Sequence, residues 1–178
     1  RSCHVSGSFQ TRDNQRPKLS VKEALSNPRS DFARVVLPPM SYAHEQDKVK
    51  NRWPAAEKFI REKGMNEVFG AKDGKLGIVV QGGMYNGLIR ALQRLGLADI
   101  YGATDVPIYV LNVTYPLISS EFLDFAAGKD DLLVIEEGQP EFIETQLGSF
   151  LYRAESRVKL HGKGLFPMAG EYTGAVML

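Results

Sequence analysis

The stretch Leu76-Gly77-Ile78-Val79-Val80-Gln81-Gly82-Gly83-Met84-Tyr85-Asn86-Gly87-Leu88-Ile89-Arg90-Ala91-Leu92-Gln93-Arg94-Leu95 changes period in its middle. Leu76–Gln81 is short, apolar and rich in Ile and Val, with no polar alternation, which is how a strand covered on both faces reads. Gly82-Gly83 allows a sharp turn. Beyond it Leu88, Ile89, Leu92 and Leu95 fall on one face of a helix. Strand, glycine turn and helix together open an α/β crossover.

The same rhythm continues downstream. Ile108–Val113, Leu132–Glu136 and the weaker Val158–His161 are further apolar runs. Helical patterns separate them. Phe122, Leu123 and Ala126 follow candidate caps at Ser119 and Ser120. Ile143, Leu147, Leu151 and Ala154 form another stripe, with Phe142 and Phe150 beside it. Short buried strands alternating with helices give right-handed crossovers and a parallel sheet. The expected fold is therefore α/β, a three-layer α/β/α arrangement with a mostly parallel sheet of four to five strands. Residues 74–178 make this domain, with a fifth, edge strand drawn from the preceding region or from the tail.

Residues 1–73 read as a linker and helical extension. Arg1–Pro17 has no period, Val21–Leu25 fits one helical turn, and Pro38-Pro39 breaks the chain. Val49, Trp53, Ala56 and Ile60 then lie on one helical stripe, widened by Phe59. Pro54 either kinks that helix or starts it again, and Gly64 is a natural stop. The tail after Met168 reads as a docking segment. Arg1 in place of an initiating Met fits a segment of a longer polypeptide.

Composition narrows the class. The 178 residues carry a net charge of +1. The balance is uneven: Arg1 to Lys63 has 13 Lys and Arg against 7 Asp and Glu, and the remainder has 9 against 14. Without interleaved aromatics or Gly-Arg repeats, the basic start does not read as a nucleic-acid arm. No apolar run reaches the roughly 20 residues that span a bilayer, and no signal peptide pattern is present. Cys3 is the single cysteine, so an internal disulfide or a four-thiolate cluster is beyond this sequence. A reducing, cytoplasmic setting is expected.

Two places carry candidate chemistry. Gly82 and Gly83 lie where a strand meets a helix, a position that gathers free N–H groups and can act as a weak anion site. The dinucleotide pattern fails there, because Met84 stands where the middle glycine belongs and the next strand ends in Asn112 instead of an acid. A turn that simply lets the helix approach the sheet is the favoured reading. Glu136, Glu137, Gln139 and Glu141 lie at the carboxyl end of the third strand, the edge where open α/β sheets bind ligands. Adjacent strand residues point to opposite faces, so Glu136 and Glu137 are not expected to share a proton. An interface or capping role is favoured over catalysis, and Glu141 suits a first helical turn after Pro140. His4, His44 and His161 lack metal spacing, and no catalytic or metal residue is assigned.

The segments Lys75–Leu97, Pro107–Leu117 and above all Val134-Ile135-Glu136-Glu137-Gly138-Gln139-Pro140-Glu141-Phe142-Ile143-Glu144 resemble the thiamine-dependent 2-oxoacid:ferredoxin oxidoreductases. The likeness is to the alpha-type chain of the indolepyruvate enzymes. His161-Gly162-Lys163 and Pro167-Met168-Ala169-Gly170-Glu171 extend it, and Arg1 to about Pro17 is similar to the exit strand of an upstream domain. The resemblance implies a transketolase C-terminal-like domain, five-stranded with one antiparallel edge. It implies a whole enzyme that turns an aryl-2-oxoacid into an acyl-CoA and reduces ferredoxin. Thiamine diphosphate, Mg2+ and iron–sulfur clusters are then held by other segments, and the other domains and subunits, ferredoxin and CoA are partners of a dimeric parent. No family catalytic residue maps onto this stretch; His4 and Arg12 lie nearest the substrate side. Arg16–Lys63 is an insert outside the family pattern. The competing expectation is a nucleotide- or CoA-binding module using the Gly82-Gly83 turn.

Overall fold

The computed structural model describes residues 37–178, so Cys3, His4, Arg12 and the Val21–Leu25 turn lie outside the described residues. The chain divides into two compact units, residues 1–54 and 55–178. The described part of the first unit begins with α1 (Met40–Asp47), which follows Pro38-Pro39. A π-helical stretch, Lys48–Arg52, leads from it into α2 (Trp53–Glu62). Pro54 is therefore the second residue of a restarted helix, where its missing N–H and ring are tolerated, and the wider π turn before it accommodates the break. Gly64 ends α2 at φ +54°, with Met65 N–H donating to the Ile60 carbonyl at 3.1 Å. Of the apolar stripe anticipated here only Ile60 is buried, while Val49 and Phe59 are more than half exposed.

The second unit is a five-stranded sheet. After the part of α2 beyond Pro54, its elements in chain order are β1 (Glu67–Phe69), β2 (Leu76–Gln81), a 3-10 turn (Gly82–Met84), α3 (Tyr85–Arg94), β3 (Ile108–Leu111), α4 (Ser119–Ala126), β4 (Asp131–Ile135), α5 (Phe142–Arg153) and β5 (Lys159–His161). The strand order is β1-β3-β2-β4-β5. Four strands are parallel, with Val79 opposite Tyr109 on one side and Val134 on the other. The antiparallel edge is β1, its Glu67 opposite Val110. That strand comes from the region ahead of residue 74, as the four-to-five-strand expectation allowed.

Side-chain alternation along each strand builds two cores. Val79, Tyr109, Leu132 and Val134 face Phe122, Phe125, Leu147 and Leu151 of α4 and α5. Ile78, Val80, Ile108 and Val110 face Met84, Leu88 and Leu92 of the α3 side. The tail closes that second face: Tyr172 is buried in it and Phe166, Val176 and Met177 pack against it. Helices on both faces with strands buried on both sides are the layered α/β solution. Two local readings change. Ser119 and Ser120 are the first residues of α4 and not its caps, since the N-cap is Ile118 and no side chain caps it. Leu95 lies just past the end of α3 and is half exposed.

Candidate functional site

After β2 the chain turns onto the α3 face, whereas after β4 it turns onto the α5 face. Neighbouring strands that send their connections to opposite faces leave a crevice at their carboxyl ends, the usual ligand position in open α/β sheets. Here it lies between Gln81 and Glu136. A cleft of about 450 Å3 occupies it, lined in part by Gln81, Thr114, Tyr115, Glu136, Gln139 and Gln146. A bond from the Glu137 N–H to Gln81 Oε1, 2.9 Å long, ties the two strand ends.

Glu136 is 5% exposed. Its Oε1 and Oε2 accept from the Ile143 N–H at 3.0 and 3.1 Å, and Oε2 accepts from the Glu144 N–H at 3.1 Å. These are first-turn N–H groups of α5, which otherwise lack intrahelical partners. The N-cap residue itself, Glu141, makes no side-chain cap bond. Glu136 therefore caps α5 from the end of the preceding strand, and its negative charge complements the helix dipole. Capping was one of the two roles anticipated for this group, though with Glu141 as the residue placed at the first turn. Glu137 diverges from it, as strand geometry requires: its Oε1 accepts from the Tyr172 N–H on the tail side at 3.3 Å. Gln139 Nε2 donates to the Met168 carbonyl.

Three further residues, none of them assigned a site role from the sequence, hold this rim together. Lys163 is buried, and its Nζ donates to the Gly138 carbonyl at 2.6 Å and to Tyr172 Oη at 3.2 Å. The same ammonium sits 4.8 Å from the centre of the Tyr172 ring, a favourable arrangement for a desolvated cation. Glu144 Oε2 accepts from the Lys163 N–H at 2.8 Å. No periodic signal marks these residues, because each partner is at least nine positions away along the chain.

The glycine turn is built differently from an open phosphate cradle. A Cβ added at Gly82 would overlap Asn112 Oδ1, whereas at Gly83 it would meet open space. Asn112 is held in turn by Nδ2 donation to the Met65 carbonyl at 3.0 Å and to Glu67 Oε2 at 2.8 Å. Gly82 is thus a close-approach glycine between β2 and β3, and only Gly83 faces outward.

A second cluster lies toward the β1 edge. Tyr109 Oη donates to Glu121 Oε2 at 3.0 Å, and Asn66 Nδ2 donates to the same oxygen at 2.9 Å. Burial, with the Glu121 carboxylate adding to it, pushes the Tyr109 phenol well above its ordinary value. Lys129 is buried nearby over the Phe125 ring. Burial holds its ammonium below the ordinary lysine value, with Asp73 opposing the shift. Among the described residues no three His, Cys, Asp or Glu side chains gather as a metal set. The lone Cys3 cannot ligate a four-thiolate cluster. No described helix is long and apolar enough to cross a membrane.

The strand order and the crevice define a doubly wound, mostly parallel α/β domain with an antiparallel edge. Residues 66–172 match the indolepyruvate oxidoreductase domain model, and the chain belongs to that family. It is 32% identical over 119 residues to indolepyruvate oxidoreductase subunit IorA of Methanothermobacter thermautotrophicus, covering 65% of this chain and 18% of that protein. With the IorA subunit of Thermococcus kodakarensis it shares 32% over 108 residues, covering 61% and 16%. The chain thus spans less than a fifth of the length of the curated relatives it matches. The same fold occurs in a 2-oxoglutarate:ferredoxin oxidoreductase from Magnetococcus marinus, solved with 2-oxoglutarate, coenzyme A and succinyl-CoA bound. The TM-score is 0.51 at 19% identity, over 78% of this chain and 22% of that one.

Proposed function

We propose that this chain is a noncatalytic assembly domain of a thiamine diphosphate-dependent indolepyruvate:ferredoxin oxidoreductase. The whole enzyme oxidatively decarboxylates an aryl-2-oxoacid, passes the electrons to ferredoxin and leaves the acyl group on CoA. Thiamine diphosphate, Mg2+ and the iron–sulfur clusters belong to other segments of that polypeptide or its partner subunits. The observation that carries this reading is Glu136. It is the buried acid at the strand ends, and both its oxygens are committed to the first turn of α5. A general base must reach the proton it takes, and both oxygens of this carboxylate are already occupied by backbone N–H groups.

The rest of the rim is suited to contact. Tyr115 is 69% exposed and Phe142 is 71% exposed beside the amides of Gln81, Gln139 and Gln146. Exposed aromatic side chains among amides are typical of packing surfaces between domains. The occupant we assign is another segment of the same polypeptide, of which the described residues are a small part.

Calorimetric titration of the chain with thiamine diphosphate and Mg2+ tests the reading. The expected heat is no greater than for an unrelated protein. Measurable, magnesium-dependent binding would overturn it.

A further inference from the structure

A second cleft of about 450 Å3 lies on the other side of the sheet, between α3 and the tail, lined by Arg90, Gln93, Arg94, Thr173, Gly174 and Ala175. Its position follows from the helix. Leu88, Ala91 and Leu92 point into the core, which leaves Arg90 and Arg94 outward, one turn apart. The tail is pressed along this same face. A Cβ added at Gly174 would come 3.2 Å from the Gly87 carbonyl oxygen and 3.8 Å from Arg90 Cβ. Tyr172 and Met177 on either side are anchored in the core. Thr173 closes the segment into a turn by accepting the Val176 and Met177 N–H groups at 3.0 and 3.3 Å.

The charge of this cleft runs against its surroundings. From Gly64 onward acids outnumber bases 14 to 9, yet the cleft is lined by two guanidiniums, an amide and a hydroxyl, with no carboxylate. Among the described residues neither arginine is in a salt bridge. Like charges at i and i+4 cost a helix a few tenths of a kcal/mol, so the pair is not there to support α3. Guanidiniums offer forked N–H donors that match the oxygens of a phosphate, and such charge-assisted bonds are the strong ones. The volume falls within the usual range for small-molecule sites and exceeds what a bare ion needs.

We infer that Arg90, Arg94 and the Thr173–Ala175 turn form a binding site for a phosphate-bearing small molecule, a phosphate ester or a diphosphate. The site uses neither the Gly82-Gly83 turn nor the strand-end cleft, and it does not depend on the assembly reading.

The test is titration of the full chain with inorganic pyrophosphate at low ionic strength, followed by calorimetry and by backbone amide shifts. We expect saturable binding, shifts at Gly174 and Ala175, and weakening as salt is raised. The double variant Arg90→Ala/Arg94→Ala should bind at least about tenfold more weakly, while Arg94→Lys, which keeps the charge, loses less. Both side chains are exposed, so circular dichroism should show the fold of each variant intact. No saturable binding at millimolar pyrophosphate would overturn the site. So would binding that survives the double substitution, or shifts confined to Gly82-Gly83. Selective binding of a Glu-rich peptide with none of pyrophosphate would also overturn it, making the cleft a contact for a carboxylate segment.

Discussion

Glu136 and Ile143 are joined by a bifurcated bond: one backbone N–H lies 3.0 and 3.1 Å from the two oxygens of one carboxylate. The strand end thereby supplies the cap that α5 lacks at its own N-cap residue. Glu136→Ala removes the acceptor of two N–H groups, Ile143 and Glu144, and leaves them facing a cavity. We expect a loss of about 2 kcal/mol, read as a lower urea midpoint with an unchanged slope. Glu141→Ala, which removes no cap bond, should change stability by less than about 0.5 kcal/mol.

Gly162 and Glu144 approach so closely that a larger residue at position 162 must displace the carboxylate. A Cβ there would overlap the Glu144 carboxylate, which also accepts the Lys163 N–H. Gly162→Ala should cost roughly 1–3 kcal/mol. Glu144→Ala makes room but leaves the Lys163 N–H unpaired. The double variant should then be more stable than the sum of the two losses predicts, with a coupling of about 1 kcal/mol in a double-mutant cycle. Strict additivity would contradict the contact.

Tyr109 governs an alkaline dependence. Its phenol is raised in the folded chain above the ordinary value of 10.0 by burial and by Glu121. Above that value the unfolded chain releases a proton that the folded chain retains, so stability present below about pH 10 is lost as pH rises. Tyr109→Phe removes this contribution. The difference in urea midpoint between wild type and variant should shrink between pH 9 and pH 11, within the ordinary tyrosine range. A constant difference would show that Tyr109 titrates alike in both states.

Phe142 separates packing within the chain from packing in the parent polypeptide. It is the first residue of α5 and 71% exposed. Phe142→Glu should leave the isolated chain within about 0.5 kcal/mol of wild type. In the parent polypeptide proposed above the same change should lower the thermal midpoint and raise protease sensitivity, because a charge would then face the segment we propose to dock there. Equal behaviour of wild type and variant there would remove Phe142 from the interface.

Much of the fold is legible in the sequence. The runs read as Leu76–Gln81, Ile108–Val113 and Leu132–Glu136 are strands at Leu76–Gln81, Ile108–Leu111 and Asp131–Ile135, because a strand covered on both faces is apolar through its middle. The three helical stripes are local for the same reason. Their boundaries moved by one or two residues where no side chain caps the helix, as at Ser119.

The site was legible only as a neighbourhood. Sequence alone located Glu136–Glu141 at a strand end and, through Met84, reduced the Gly82–Gly87 turn to a weak anion site. It could not assign Glu136 to the α5 N-terminus, Asn112 to Gly82, Lys163 to Tyr172, or the Thr173–Ala175 turn to Arg90 and Arg94. Periodicity is a property of the chain within a few residues. Those contacts depend on the strand order β1-β3-β2-β4-β5 and on the tail closing the α3 face, which long-range packing decides.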